Sequence, residues 1–501
     1  MPLKLTISDI KEGYAGLKKL AQKAYRKGDL KLAMYYIQHC SVLAQQFNWI
    51  YVDEELERLL KQIGEKIIAE NSIDTEPNPN RVIFMDDFCV SFVLTIQYID
   101  ALIASGKEIL YIATLPENFG KYKDILPLLE AKNQVIVKRI PLTQGNWLEN
   151  TPELYQTIID FAPSQILLHL YPNSFTIPAL YALPSSIKTY LINLADQTFW
   201  LGARLIDYCV EFRPFGVAVS RERRGIQPYQ QLMLPFYPVV DGNSFQGFPK
   251  ECEEEGKVVI FSGSDIYKVL DEKRMYWNLV KRLLDTYPEV VFLFATKGDN
   301  IGMQFLNQFI KDNNFENRFI YTHFRPDIDQ VLAHTDIYMG TCPASGSLMS
   351  QLAARNATPI LQYYYPDTPD DETEQSLCIN DKFQISYQDE EEFMQEAERL
   401  IRDVEYRKAR GERLKKAMIQ PEQFNKALER LLSTNESPFP VETKYVDYKL
   451  LDERWFALEK AGFLNTMPYL FGLLGKWNCF KYAPTLYFKK QIQTIKNILT
   501  I

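Results

Sequence analysis

The sequence predicts an α/β chain of two successive Rossmann-like domains, with a helical cap before them and a helical tail after them. Three observations predict it. Short apolar runs alternate with helical segments over residues 81–245. The same alternation restarts at 256, after the acidic stretch Pro249-Lys-Glu-Cys-Glu-Glu-Glu-Gly256. The first 75 residues carry helical period alone, and a helix-forming acidic run from Asp389 opens the C-terminal part.

Composition narrows the class. The chain has 501 residues, 46% of them apolar and 24% charged, which suits several packed modules and excludes a disordered or collagen-like chain. Seven scattered cysteines without a Cys-x-x-Cys pair, and four histidines without ligand spacing, predict neither a disulfide framework nor a metal site. A net charge of −8 argues against nucleic acid as partner but leaves room for a local pocket for one anion. No apolar run reaches the ~20 residues of a membrane span, and the N-terminus lacks a basic patch before an apolar stretch. The expected location is cytoplasmic.

In the cap (residues 1–75), Leu17, Leu20, Ala21, Ala24 and Tyr25 share one helix face, Gly28-Asp29 turns the chain, and Leu32 to Ala44 form a second stripe. The pair resembles a single tetratricopeptide unit, too little for a peptide-binding array and expected to pack on the next domain. The linker Asn71–Asn80 follows. In the first domain (81–245) the expected strands are Arg81–Met85, Ile109–Ala113, Gln134–Arg139, Gln165–Leu170 and Thr189–Leu194, then Ile206–Glu211 and Phe215–Val219. Helices are expected at Ser91–Ala104, Lys123–Ala131 and Thr151–Phe161. The second domain (256–400) is expected to place strands at Val258–Phe261, Val290–Ala295, Arg318–Thr322, Asp336–Met339 and Pro359–Tyr363. Its helices are expected at Lys273–Asp285, Met303–Asn313, Ile328–Ala333 and Ser347–Arg355. Residues 401–501 are expected to be helical.

Ligands of open parallel sheets lodge where strands end and helices begin. Two such places stand out in the second domain. Strand Val258–Phe261 runs into Ser262, Gly263 and Ser264, with Lys268 close behind. Strand Asp336–Met339 runs into a turn with Pro343, Ser345 and Gly346, and a helix opens at Ser347-Leu348. Small residues, free amides and a lysine suit a diphosphate, although a Gly-Ser turn also serves as plain structure.

At this point a family resemblance enters. Ile260-Phe-Ser-Gly-Ser-Asp-Ile-Tyr-Lys268, then Trp277, Leu279 and Tyr287-Pro288, resembles the donor domain of O-GlcNAc transferases and of the bacterial soluble protein N-glycosyltransferases. Thr341-Cys-Pro-Ala-Ser-Gly346 and Ala357-Thr358-Pro359 match that family's helix-start motif without a gap. Gln165-Ile-Leu-Leu-His-Leu170, Tyr181-Ala-Leu-Pro184, Leu205-Ile-Asp-Tyr208 and Leu234-Pro235 resemble landmarks of its first domain. The likeness covers about residues 165–365. It implies a GT-B glycosyltransferase moving a sugar from a nucleotide diphosphate donor, by resemblance UDP, to a protein or glycan acceptor. It implies inversion, no metal or cofactor, and Lys268 on the diphosphate. Three positions depart: Ser347-Leu348-Met349 replaces a His-Thr-Thr triplet, Leu352 replaces an aspartate, and Asp86-Asp87 stands where the family has a histidine.

A general base is needed on the acceptor side. Candidates are Asp196, or else a helix cap before Gln197–Leu201; Asp86 or Asp87, or else a polar loop; and His169, or else a core histidine. Glu372 and Glu374 are candidates for ribose hydroxyls, or else part of a solvated acidic loop. Arg221, Arg223 and Arg224 could grip an anionic acceptor or form ordinary surface. The tail from Lys476, with five lysines, no acidic residue and several aromatics, could rest on a membrane surface; packing of its aromatics on the first domain is the favoured reading. Two rival functions remain: a transferase for lipid-linked or capsular glycan, and a scaffold of this fold without turnover.

Overall fold

The structure is a computed structural model, described for residues 6–68, 76–88, 92–116, 122–240, 242–271, 273–297, 300–365, 373–459 and 463–499. Residues 71–75 of the expected linker, Ser91 and Glu372 lie outside the described residues.

The first compact unit comprises residues 1–95, 102–233 and 429–501. It opens with α1 (Ile7–Arg26), α2 (Leu30–Phe47) and α3 (Glu54–Ile68). Thr6 and Asp9 form a reciprocal capping box at the start of α1, and the Asp29 carboxylate caps α2. Then come β1 (Asn78–Asp86), α4 (Phe92–Ala104), β2 (Glu108–Ala113), α5 (Tyr122–Glu130), β3 (Val135–Arg139), α6 (Trp147–Phe161), β4 (Pro163–His169), α7 (Ile177–Tyr181), β5 (Lys188–Ile192), β6 (Tyr208–Glu211), α8 (Pro214–Arg224) and β7 (Gln231–Met233). The sheet is parallel, in the order β3-β2-β1-β4-β5-β6-β7.

The second unit comprises residues 96–101 and 234–428. It holds β8 (Val258–Gly263), α9 (Met275–Thr286), β9 (Val290–Ala295), α10 (Asn300–Asn313), β10 (Phe319–Thr322), α11 (Ile328–Ala333), β11 (Ile337–Met339), α12 (Ser347–Arg355), β12 (Ile360–Tyr363), α13 (Glu374–Leu377), β13 (Ser386–Tyr387), α14 (Glu390–Arg402) and α15 (Val404–Ala417). Its parallel sheet runs β10-β9-β8-β11-β12-β13. Both faces are covered: Trp277, Leu283 and Phe393 pack on one, and Leu332, Leu352 and Leu414 on the other. The chain ends with α16 (Pro421–Thr434), α17 (Tyr448–Glu459), α18 (Phe463–Tyr482) and α19 (Pro484–Leu499).

The cap shares one apolar core with the first sheet. Gly64 of α3 touches α7 so closely that a Cβ would stand 2.0 Å from the Pro178 carbonyl oxygen. The buried Glu57 carboxylate accepts from the Gly202 amide at 2.9 Å, the Arg204 amide at 3.3 Å and the Tyr181 hydroxyl. The other face of α1 is closed by α18 and α19, with Leu470 and Leu474 seated over Gly13 and Gly16.

Three expectations need correction. Phe215–Val219 is the N-terminal half of α8, not a strand. Pro214 sits in the helix's first turn and Gly225 ends it in the left-handed region, signals that outweigh a short apolar run. No helix follows Asp196; the turn that ends at Gln197 runs into irregular chain through Leu201. In the tail the favoured packing holds for only part of the aromatics: Tyr482 and Tyr487 pack against the core with Leu474, Cys479 and Leu486, while Trp477, Phe480 and Phe488 stay exposed. Among the described residues no helix is long and apolar enough to cross a membrane.

Candidate functional site

Each sheet reverses its strand order once, and loops leaving the two flanking strands diverge to opposite faces, opening a crevice at their carboxyl ends. In the second unit the flanking strands are β8 and β11, with Ile260 beside Ile337 and Phe261 beside Tyr338. These are the strands that lead into the two expected anion-binding turns.

Ser262 and Gly263 end β8, and Ser264 donates its amide to the Ala295 carbonyl at 3.0 Å. Lys268 sits in the short 3-10 turn Ile266–Val269. Its carbonyl accepts the Ala344 amide at 3.3 Å, which binds the first turn to the second. The second turn is closed by the Thr341 hydroxyl on the Ala344 carbonyl at 2.7 Å and contains a cis Cys342–Pro343 bond. Gly340 makes room for it: a Cβ there would lie 1.6 Å from Gln362 Oε1. The Gln362 amide in turn donates to the Thr341 carbonyl at 3.0 Å.

Gly346 is the N-cap of α12, and no side chain caps that end. Along these two turns and the first turns of α12, Ser264 Oγ, Ser347 Oγ and both amide atoms of the fully buried Gln351 have no hydrogen-bond partner among the described residues. Ser262 Oγ faces the Tyr276 hydroxyl but misses hydrogen-bonding geometry. Each such atom costs about 1–3 kcal/mol when left dry and unpaired. Leu348 is half-buried against the apolar core under α12 and offers only its amide. Ser345 lies half-exposed in the turn. Sequence reasoning missed Gln351 and Tyr338, whose hydroxyl stands 3.8 Å from where a Gly346 Cβ would be.

Glu374 is elsewhere engaged: its carboxylate accepts from the Ile385 and Ser386 amides and the Ser386 hydroxyl, all at 2.6 Å, and so anchors β13.

In the first unit the reversal falls between β1 and β4, where Asp86 pairs in register with His169. Both are buried, with Asp86 Oδ1 3.1 Å from His169 Nδ1. Asp86 Oδ2 accepts from the Thr95 and Tyr111 hydroxyls at 2.8 Å. The next residue, Asp87, is also buried and accepts from the Ser174 hydroxyl and the Tyr171 amide. Burial pushes its carboxyl up to about 7 against the pull of those donors, and the neighbouring Asp86 adds to the rise.

Asp196 lies two strands away, after β5. Instead of capping a helix it is held by Arg213, whose Nε and Nη2 donate to its two oxygens at 2.6 and 2.7 Å. Arg224 is buried rather than a surface residue. It donates to the Asp196 and Thr198 carbonyls and so holds the loop behind that pair. Arg221 reaches Gln231 and Arg223 reaches Asp452. Among the described residues no group of three His, Cys, Asp or Glu is placed to hold a metal.

Neither family models nor curated protein sequences return a match. Solved structures do. The chain is similar to a mutant O-GlcNAc transferase of Thermobaculum terrenum, with a TM-score of 0.51 at 14% identity, covering 90% of this chain and 83% of that one. It is also similar to Anabaena Alr3699/HepE in complex with UDP, with a TM-score of 0.50 at 13% identity, covering 71% and 100%. At such identity the likeness speaks for the fold, which is GT-B-like.

Proposed function

We propose that the chain is a glycosyltransferase that binds a nucleotide diphosphate sugar, with UDP as the nucleotide, at the carboxyl ends of β8 and β11. The observation that carries this reading is the joined pair of turns. Lys268 is bonded through its backbone to the loop that starts α12, beside unpaired serine hydroxyls and an uncapped helix end. A diphosphate gains charge as the sugar leaves, and donors already in place meet that charge without reorganising. The UDP-bound neighbour of the same fold supports the choice of nucleotide.

On this reading the acceptor, a protein or glycan, is deprotonated from the first sheet and the sugar inverts. Asp87 is the best-suited base, because a carboxyl near neutrality can both take and release a proton at ordinary pH. The Asp87 amide donates to the His169 carbonyl at 3.0 Å, which fixes its backbone against the end of β4. Glu374 drops out of donor binding.

One observation favours a second reading, a scaffold of this fold without turnover. Asp196, Asp86 and Asp87 are all buried with their oxygens taken by internal donors. Calorimetry with UDP, followed by a hydrolysis assay over a panel of UDP-sugars, separates the two. Heat and hydrolysis support the transferase; heat without turnover on any donor or acceptor supports the scaffold; no heat removes both donor assignments.

A further inference from the structure

We propose that the hairpin of α18 and α19 is a docking element for the surface of an anionic phospholipid bilayer. Its inner side is already used. Leu470, Leu474, Cys479, Ala483 and Leu486 are buried, Lys489 bonds Asp9 at 2.5 Å, and Glu12 accepts the Thr485 and Leu486 amides at the start of α19. The hairpin is thus fixed in orientation by α1, and its outer side has a defined composition.

That outer side is apolar and aromatic. Trp477 is 82% exposed, Phe480 50%, Phe488 54% and Ile492 45%. Phe480 and Phe488 meet across the hairpin with ring centroids 6.2 Å apart. Trp477 lies one turn before Phe480, and Ile492 one turn after Phe488, so each exposed ring is continued along its own helix by a second exposed apolar side chain. A scattered exposed aromatic needs no explanation, but a contiguous strip does.

Charge identifies the occupant. From residue 476 to 501 there are five lysines and no acidic residue, in a chain whose net charge is −8. Lys476 and Lys481 are exposed beside the strip. Aromatic rings at the headgroup level, with lysines reaching anionic phosphates around them, are the features of a helix that lies in the interface. A second copy of this chain would bring the same lysines against these, so self-association is disfavoured by like charge. Spanning is excluded for α19, whose 16 residues fall short of the ~20 needed and include Lys489 and Lys490.

Flotation of the full chain with liposomes tests this. One set contains phosphatidylglycerol in phosphatidylcholine, the other phosphatidylcholine alone. Wild type is expected to float with the anionic set and stay behind with the neutral one, and binding is expected to weaken as salt rises. Trp477→Ser with Phe488→Ser, and separately Lys476→Glu with Lys481→Glu, are expected to cut the floated fraction about tenfold. Circular dichroism and gel filtration should be unchanged, since all four side chains face solvent. The proposal is overturned if wild type stays at the bottom with both sets, floats equally with both, or floats unchanged in either double variant. It is also overturned if the apolar variant only dissolves a dimer, which would assign the strip to a second copy.

Discussion

The Lys268 carbonyl accepts a hydrogen bond from the Ala344 amide at 3.3 Å, joining two turns that lie 76 residues apart in the chain. The bond uses backbone atoms only, so changing the side chain at 268 leaves the joint intact and isolates the role of the ammonium group.

Lys268→Ala is therefore expected to keep this backbone joint and to weaken UDP binding about 10- to 100-fold, the worth of one charge-assisted hydrogen bond. Calorimetry reads it. Unchanged affinity would place the diphosphate elsewhere.

Asp87 sets a pH dependence whose sign is fixed by its raised value. Its folded pKa of about 7 exceeds the ordinary 3.8 of the unfolded chain, so between those values the folded state binds more protons. Its contribution to stability is complete below about pH 4 and is lost as pH rises towards 7. Asp87→Asn, which keeps acceptors for the Tyr171 amide, should remove that decline. Denaturant titrations of both forms across this window check it; parallel curves would mean that Asp87 does not titrate there.

The same carboxyl marks the reaction. If Asp87 takes the acceptor's proton, turnover should rise with pH towards a plateau above about 7, and Asp87→Asn should lower kcat by at least about a hundredfold. An unaltered pH profile in the variant would move the base to another residue.

Asp196 and Arg213 form a bidentate pair with Asp196 wholly buried. Arg213→Ala leaves that carboxylate uncompensated and should cost about 3–5 kcal/mol. Adding Asp196→Asn to it should restore part of the loss, which a double-mutant cycle by chemical denaturation would show. Full additivity of the two changes would contradict the pairing.

Gly64→Ala forces a methyl group onto the Pro178 carbonyl and must shift α3 from α7. A loss of about 1–3 kcal/mol is expected, with faster proteolysis at the cap. Wild-type resistance would mean that the close approach is not needed.

Much of the second sheet could be read directly. Val290–Ala295, Ile328–Ala333 and Ser347–Arg355 fall where apolar period and flanking turns place them. The two anion-suited turns were legible as well, since Gly and Ser clusters at strand ends are a local property. β7 was not, because a three-residue strand carries no period of its own and exists only by pairing with β6. α8 was misread for a related reason: a five-residue run of four apolar residues and a glycine fits a buried strand or a buried helix equally well.

By itself the chain determined its local conformations: period, caps and turn chemistry act over a few neighbouring residues, and those are written in order. What only the tertiary structure decided is which distant groups share a site. That Asp196 answers to Arg213, that Asp86 stands in register with His169, and that Lys268 is tied to Ala344 follows from strand order in parallel sheets. So does the fate of the tail, where Leu470, Leu474 and Tyr482 fit against Gly13 and Gly16 while Trp477, Phe480 and Phe488 stay outside. Packing chooses among faces by shape, and shape is a property of both partners together.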